Sequence, residues 1–216
     1  MCIVSFYRKD DQFVLTHNRD EEINRISSNE IMEQTRFGKT YFSPVDQRAK
    51  GTWIFHSDEY IGCILNGGEQ KPLAFKPQYK ESRGIILLNL LHYPSVKEFI
   101  KLEDLSNIAP FTLFVFEKRN KNAYLLFWNE NELKIVDVTA QEIVTWCSST
   151  LYSPNRRIEI DEIFQQNHDL TVKEIFQLHQ QLKMEKGEVS EGIATTSISQ
   201  IRMDNTKTEM KYCQLF

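Results

Sequence analysis

No stretch of this sequence approaches eighteen consecutive apolar residues, and its start has no basic segment followed by an apolar run. Neither a membrane-spanning helix nor a secretory signal is therefore expected, and an amphipathic presequence is missing too. The formal net charge is −4, from 26 Lys and Arg against 30 Asp and Glu, which gives no general pull towards nucleic acid or an anionic membrane. The four cysteines, Cys2, Cys63, Cys147 and Cys213, are widely scattered, form no C-x-x-C pair and have no histidines at zinc spacing. No metal and no cofactor is expected, and a reduced, cytoplasmic chain fits best. Gly38-Lys39-Thr40 has the last residues of a phosphate-binding loop, but Glu33 stands where its first glycine is required. Internal repeats and low-complexity segments are absent.

What remains is a chain of 216 residues, 41% hydrophobic, enough for one domain over 1–216 with a continuous core. β-Rich runs at 2–7 and 12–16 read as a hairpin around Arg8-Lys9-Asp10-Asp11, and 51–55 with 60–65 as a second around His56-Ser57-Asp58-Glu59. Residues 23–40 are polar and irregular, a loop expected to cross the mouth of any site that Cys2 occupies; 41–44 reads as a short strand. The segment 67–80, with Gly67-Gly68 and two prolines, is a loop. Its Lys71, Lys76 and Lys80 suit a phosphate or CoA-like group, or simple solvation.

Helical spacing is expected over 83–92 behind Ser82, and over 94–100 with Pro94 in the first turn. Runs at 111–116, 123–128, 133–138 and 143–147 read as one antiparallel meander. Two more helices follow, over 158–164 and 172–182, the second capped by Asp169 or Thr171. His168 and His179 stand in polar surroundings and read as surface residues. The chain closes on a hairpin, 193–203 and 206–213, turning at Asp204-Asn205. This order of elements gives an α+β fold with segregated layers.

The stretch with chemistry in it is the first twenty-one residues. A penultimate residue as small as Cys2 allows removal of Met1, which leaves a thiol and a free α-amine on one residue. With ordinary pKa values of about 8.5 for a thiol and about 7.7–8.0 for an α-amine, the amine can take the thiol proton without a histidine. A retained Met1 would instead lock that amine into a peptide bond. Because a hairpin returns beside its start, Asn18, Arg19 and Asp20 are expected near Cys2. The guanidinium can then stabilise a thiolate and the carboxylate can accept from an ammonium.

A start of Met-Cys-Ile with Asn18-Arg19-Asp20-Glu21 at the end of the second strand resembles the NRDE family, which includes the transport and Golgi organisation proteins. Asp46-Gln47-Arg48-Ala49-Lys50-Gly51-Thr52-Trp53, Leu65-Asn66, Ser82-Arg83-Gly84, Phe111-Thr112-Leu113 and Ala194-Thr195-Thr196-Ser197 follow in the order of that family's blocks. The family in turn resembles the N-terminal-nucleophile hydrolases, in the cysteine branch of bile salt hydrolases, penicillin V acylases and related acyltransferases. The resemblance implies a four-layer αββα sandwich of antiparallel sheets with Cys2 opening a central strand. It implies Cys2, Arg19, Asp20 and Asn66 as catalytic residues, Asn66 at the oxyanion. Asn18, Trp53, which can line a pocket, and Ser149 are the candidate substrate-binding residues. The chain departs from the pattern at Ser149, where a second Asn is expected, and at Ala194, where an Arg is usual.

Each of these residues also has a plainer reading. Cys2 fits as a small hydrophobe of a first strand, Arg19 and Asp20 as an ion pair closing a hairpin, Asn66 as a turn residue before two glycines, and Trp53 as core. Two functions follow. One is a hydrolase or acyltransferase acting through Cys2 on a non-peptide amide or acyl thioester of a small molecule; the other is a non-catalytic binding or trafficking protein for a lipid, acyl-CoA or haem-like ligand.

Overall fold

β-Branched and aromatic residues open the chain and form the hairpin expected of them. In the computed structural model, which describes residues 2–70, 76, 78–188 and 191–216, β1 (Cys2–Lys9) and β2 (Gln12–Glu22) pair antiparallel from Lys9↔Gln12 to Cys2↔Arg19. The turn is tighter than expected. It uses only Asp10-Asp11, with Asp10 in the left-handed region that Asp tolerates (φ 52°).

Residues group into two compact units, one of Met1–Arg25 with Ala140–Phe216 and one of Ile26–Thr139. In the first, β10 (Ile143–Cys147), β11 (Ile193–Met203) and β12 (Thr208–Gln214) join β1 and β2 in a five-stranded antiparallel sheet of order β10-β1-β2-β11-β12. Alternation along β1 puts Ile3, Ser5 and Tyr7 on one face and Cys2, Val4 and Phe6 on the other. Helices α3 (Pro154–Gln165) and α4 (Val172–Gln181) cover the Ile3 face, where Ile3, Tyr7, Val14, Ile160, Phe164 and Ile175 form the core. α3 starts four residues before the expected 158, because Ser153 caps it through the Arg156 N–H and Pro154 fits its first turn. Thr171 caps α4 in a reciprocal box with Glu174.

The second unit holds a seven-stranded antiparallel sheet in simple sequence order, from β3 (Met32–Arg36), β4 (Lys39–Ser43), β5 (Ile54–Ser57) and β6 (Tyr60–Asn66) to β7 (Phe111–Glu117), β8 (Asn122–Trp128) and β9 (Leu133–Asp137). α1 (Arg83–Asn89), extended by a 3₁₀ turn over Leu90–His92, and α2 (Val96–Leu102) supply Leu87, Leu88, Leu91, Val96 and Phe99 to its core. Ser82 holds the cap position of α1 without a side-chain bond. Pro94 precedes the α2 cap rather than entering the first turn, since Ser95 takes that role by accepting from the Glu98 N–H.

Three further sequence expectations need correction. Residues 23–40 are not all loop: 32–43 form the β3–β4 hairpin around Phe37-Gly38, both with positive φ. β3 has no buried face, so it lacks the apolar alternation by which strands are recognised. The four-run meander stops at β9; the fourth run, β10, pairs with β1 from Ile3↔Cys147 to Tyr7↔Ile143 and so belongs to the other sheet. His179 is not on the surface but fully buried. Among the described residues no helix is long and apolar enough to cross a membrane.

The second unit also shows why two of the sequence blocks contain glycine. Thr52 N–H donates to Gly84 O at 3.4 Å, so the Gly51-Thr52-Trp53 backbone lies directly on the start of α1. A Cβ at Gly84 would come within 2.6 Å of Thr52 O and 2.9 Å of Thr52 N, both backbone atoms that cannot swing away. Gly84→Ala is expected to cost about 1–3 kcal/mol, as overpacking does. Gly192→Ala, where a Cβ meets nothing within 4 Å, should stay within about 0.5 kcal/mol. Urea midpoints of the two variants check this.

Candidate functional site

Cys2, Asn18, Arg19, Asp20 and Ser149 all lie in the first unit, and the β1–β2 register assembles them. Cys2 is opposite Arg19 and Ile3 opposite Asn18, so Cys2 and Arg19 project from one face while Asn18 and Asp20 project towards the helices. All four are buried; Asn18 and Asp20 have no exposure and Arg19 has 3%. Burying a guanidinium and a carboxylate is costly unless each finds partners, and β11 provides them.

The partners come from the Ala194–Ser197 block. β11 pairs Thr195 with Asp20 but Ser197 with Arg19. Thr196 is thus the extra residue of a β-bulge, a device that re-aims a side chain. Thr195 Oγ1 donates to Asp20 Oδ1 at 2.5 Å, and Arg19 Nη1 donates to Thr196 Oγ1 at 3.1 Å and to the Arg25 carbonyl at 3.4 Å. The Thr196 hydroxyl in turn donates to the Arg19 carbonyl at 3.1 Å.

Asp20 has a second donor that the sequence did not suggest, the Tyr152 hydroxyl at 2.6 Å. Tyr152 comes from the turn after β10, and that turn is pinned to the nucleophile candidate itself: Ser148 N–H donates to the Cys2 carbonyl at 2.9 Å. Ser149, at 4% exposure, lies in the same turn. No local pattern marks Tyr152, because a Ser-rich strand exit followed by Tyr reads as an ordinary turn.

Burial dominates the electrostatics. It pushes the Asp20 carboxyl up to about 6 against the pull of the Thr195 and Tyr152 hydroxyls. It pushes the Cys2 thiol up to about 11, helped by the Asp20 charge. Burial and the Asp20 carboxylate drive the Tyr152 phenol far above its usual range. At neutral pH Cys2 is therefore a neutral thiol.

Asn18, on the helix side with Asp20, is bound to α4. Its amide donates to the His179 carbonyl at 2.9 Å and its Oδ1 meets His179 Nδ1 at 2.8 Å, while His179 Nε2 meets Ser5 Oγ at 2.8 Å. A signal for His179 was present: it stands four residues after Ile175, inside the apolar stripe of α4.

Asn66 and Trp53 belong to the second unit. Asn66 closes β6 opposite Phe111, followed by Gly67 at φ 86°, a conformation that favours glycine. Trp53 is 6% exposed and accepts at its carbonyl from the Ile64 N–H, 2.9 Å away. Of the basic loop, Lys76 pairs with Glu130 at 3.1 Å and Lys80 with Asp104 at 2.6 Å; Lys71, like Met1, lies outside the described residues. Among the described residues no cluster of three or more His, Cys, Asp or Glu is arranged to hold a metal.

Comparison with known proteins bears on the fold and the family. The structure is similar to that of penicillin V acylase from Agrobacterium tumefaciens, with a TM-score of 0.59 at 7% sequence identity, covering 100% of this chain and 86% of that one. At that identity the likeness shows the fold, the α+β arrangement of two antiparallel sheets found in an N-terminal-nucleophile hydrolase. Comparison with curated proteins gives no match. The model of the family described as Transport and Golgi organisation 2 matches residues 1–212, and the chain belongs to that family.

Proposed function

We propose that the chain is a cysteine hydrolase or acyltransferase of the N-terminal-nucleophile type, acting in the cytoplasm on a non-peptide amide or acyl thioester of a small molecule. The observation that carries this reading is the pairing at the end of the β1–β2 ladder, which sets Cys2 directly opposite Arg19. Removal of Met1 would free the Cys2 α-amine beside a thiol that burial keeps neutral, and that amine is the base. Sγ attacks the carbonyl carbon as the thiol proton passes to the amine. Asn66 and backbone N–H groups donate to the oxyanion, an interaction worth roughly 10²–10³ in rate per donor. Collapse expels the amine or thiol, which takes the proton, and leaves an acyl group on Sγ for water or a second acceptor.

Arg19 and Asp20 orient the thiol and the α-ammonium. Trp53 and Ser149 are the proposed substrate contacts. Asn18, whose amide is occupied by His179, is assigned to positioning instead. Because the family match runs through both units, residues 1–216 are read as one domain.

One observation favours the non-catalytic alternative, a binding or trafficking protein for a lipid, acyl-CoA or haem-like ligand. Cys2 is only 2% exposed, the burial typical of a structural thiol. Intact mass before and after brief alkylation at neutral pH separates the two. Loss of Met1 with Cys2 modified faster than the buried Cys63 and Cys147 is the expected result. Retained Met1 with Cys2 as slow as those two would overturn the catalytic reading and leave the binding one.

A further inference from the structure

We propose that His179 is a positioning residue, whose imidazole ties β1 and β2 to α4 and so keeps Cys2 opposed to Arg19. The inference rests on the reading of Cys2 as the reacting residue. Its geometry admits one arrangement of protons. The Asn18 amide nitrogen must be the group on the His179 carbonyl, since a carbonyl only accepts. Asn18 Oδ1 therefore faces His179 Nδ1, which has to donate. Burial pushes this imidazole down to about 3, so it is neutral and its Nε2 carries a lone pair for the Ser5 hydroxyl.

One ring thus fixes a residue of β1 three positions from Cys2 and a residue of β2 next to Arg19. Ser5, Asn18 and His179 have no exposure at all, so water does not compete for these bonds and a substrate does not reach them. The location matters because Cys2↔Arg19 is the last pair of its ladder and Ile3↔Asn18 the next. Strand ends are where pairing opens most readily. Anchoring Asn18 from the helix side holds the end shut, which gives the first residue of the Asn18-Arg19-Asp20-Glu21 tetrad a task distinct from those proposed for Arg19 and Asp20. Phe164 packs against the ring with centroids 5.1 Å apart, fixing its plane.

The test compares His179→Leu, which keeps bulk without polar atoms, with His179→Gln, which can again donate to Asn18 and accept from Ser5. Amide hydrogen exchange over residues 17–20 should speed up at least about tenfold in the Leu variant while 13–15 stay unchanged, and the Gln variant should recover most of the protection. The alkylation rate of Cys2 should depart from that of the unaltered chain in the same order. A folded Leu variant with unaltered exchange at 17–20, or a Gln variant as fast as Leu, overturns the inference. Should His179→Leu not fold, Ser5→Ala removes one bond and must still speed the same amides; no change there overturns it equally. If Cys2 proves inert in the unaltered chain, the catalytic reading falls while the exchange data still decide the role of His179.

Discussion

Cys2→Ala is expected to keep its fold and lose at least roughly a thousandfold in turnover of any amide or acyl thioester that the unaltered chain processes. Removing a nucleophile leaves only binding and oxyanion stabilisation, and in enzymes of this logic those account for a small share of the acceleration. The fold should survive because Cβ is kept and only one sulfur leaves a packed strand, at a cost on the order of 1 kcal/mol. Cys147→Ala is the matched control. Cys147 is buried in the adjacent strand, and its thiol is pushed up by burial and by the same Asp20 charge, yet it projects with Ile3 towards the helices. Turnover on a panel of p-nitroanilides and acyl thioesters checks both; a Cys2→Ala chain with full activity would sink the catalytic proposal.

How much of this was legible in the sequence depends on what each residue's neighbours are. The β1–β2 and β11–β12 hairpins were readable because their strands are rich in β-branched and aromatic residues and their turns carry Asp and Asn. Tetrad residues near Cys2 followed from that hairpin alone, and the register Cys2↔Arg19 agrees. β3 was not readable, since an edge strand exposed on both faces has no pattern to read. β10 looked like a fourth meander strand because local signals record that a segment is extended, never which sheet it joins. Its partner β1 lies some 140 residues away.

The same limit governs the site. Arg19 and Asp20 were identified by position, but what holds them was not: two threonines of a bulge, placed there by a shift of register between Thr195 and Ser197. Tyr152 and His179 reach the tetrad only through tertiary packing, at sequence separations of 132 and 161 residues. His179 was misread because its immediate neighbours are glutamine and leucine, although its helical phase with Ile175 puts it on the buried stripe.

Asp20→Asn should separate stability from function. The Asp20 carboxyl rises from 3.8 to about 6 in the fold, so the folded chain holds its proton more tightly than the unfolded one. The sign follows directly. Below pH 4 both states are protonated and the contribution is complete; between about pH 4 and 6 it is lost as the buried carboxylate ionises, and above 6 the charged form costs roughly 3 kcal/mol. Asn removes that cost while keeping both contacts, because its Oδ1 still accepts from one of the Tyr152 and Thr195 hydroxyls and the other can rotate to accept from its amide nitrogen. Urea unfolding of the two proteins from pH 4 to 8 should therefore give curves that diverge with rising pH, the Asn variant ending about 3 kcal/mol more stable. On the proposed mechanism its Cys2 at the same time loses the carboxylate that orients the α-ammonium, and turnover should fall. Curves that stay parallel across pH 4–6 would mean that Asp20 keeps an ordinary carboxyl in the fold, and a variant gaining stability with activity intact would remove Asp20 from the site.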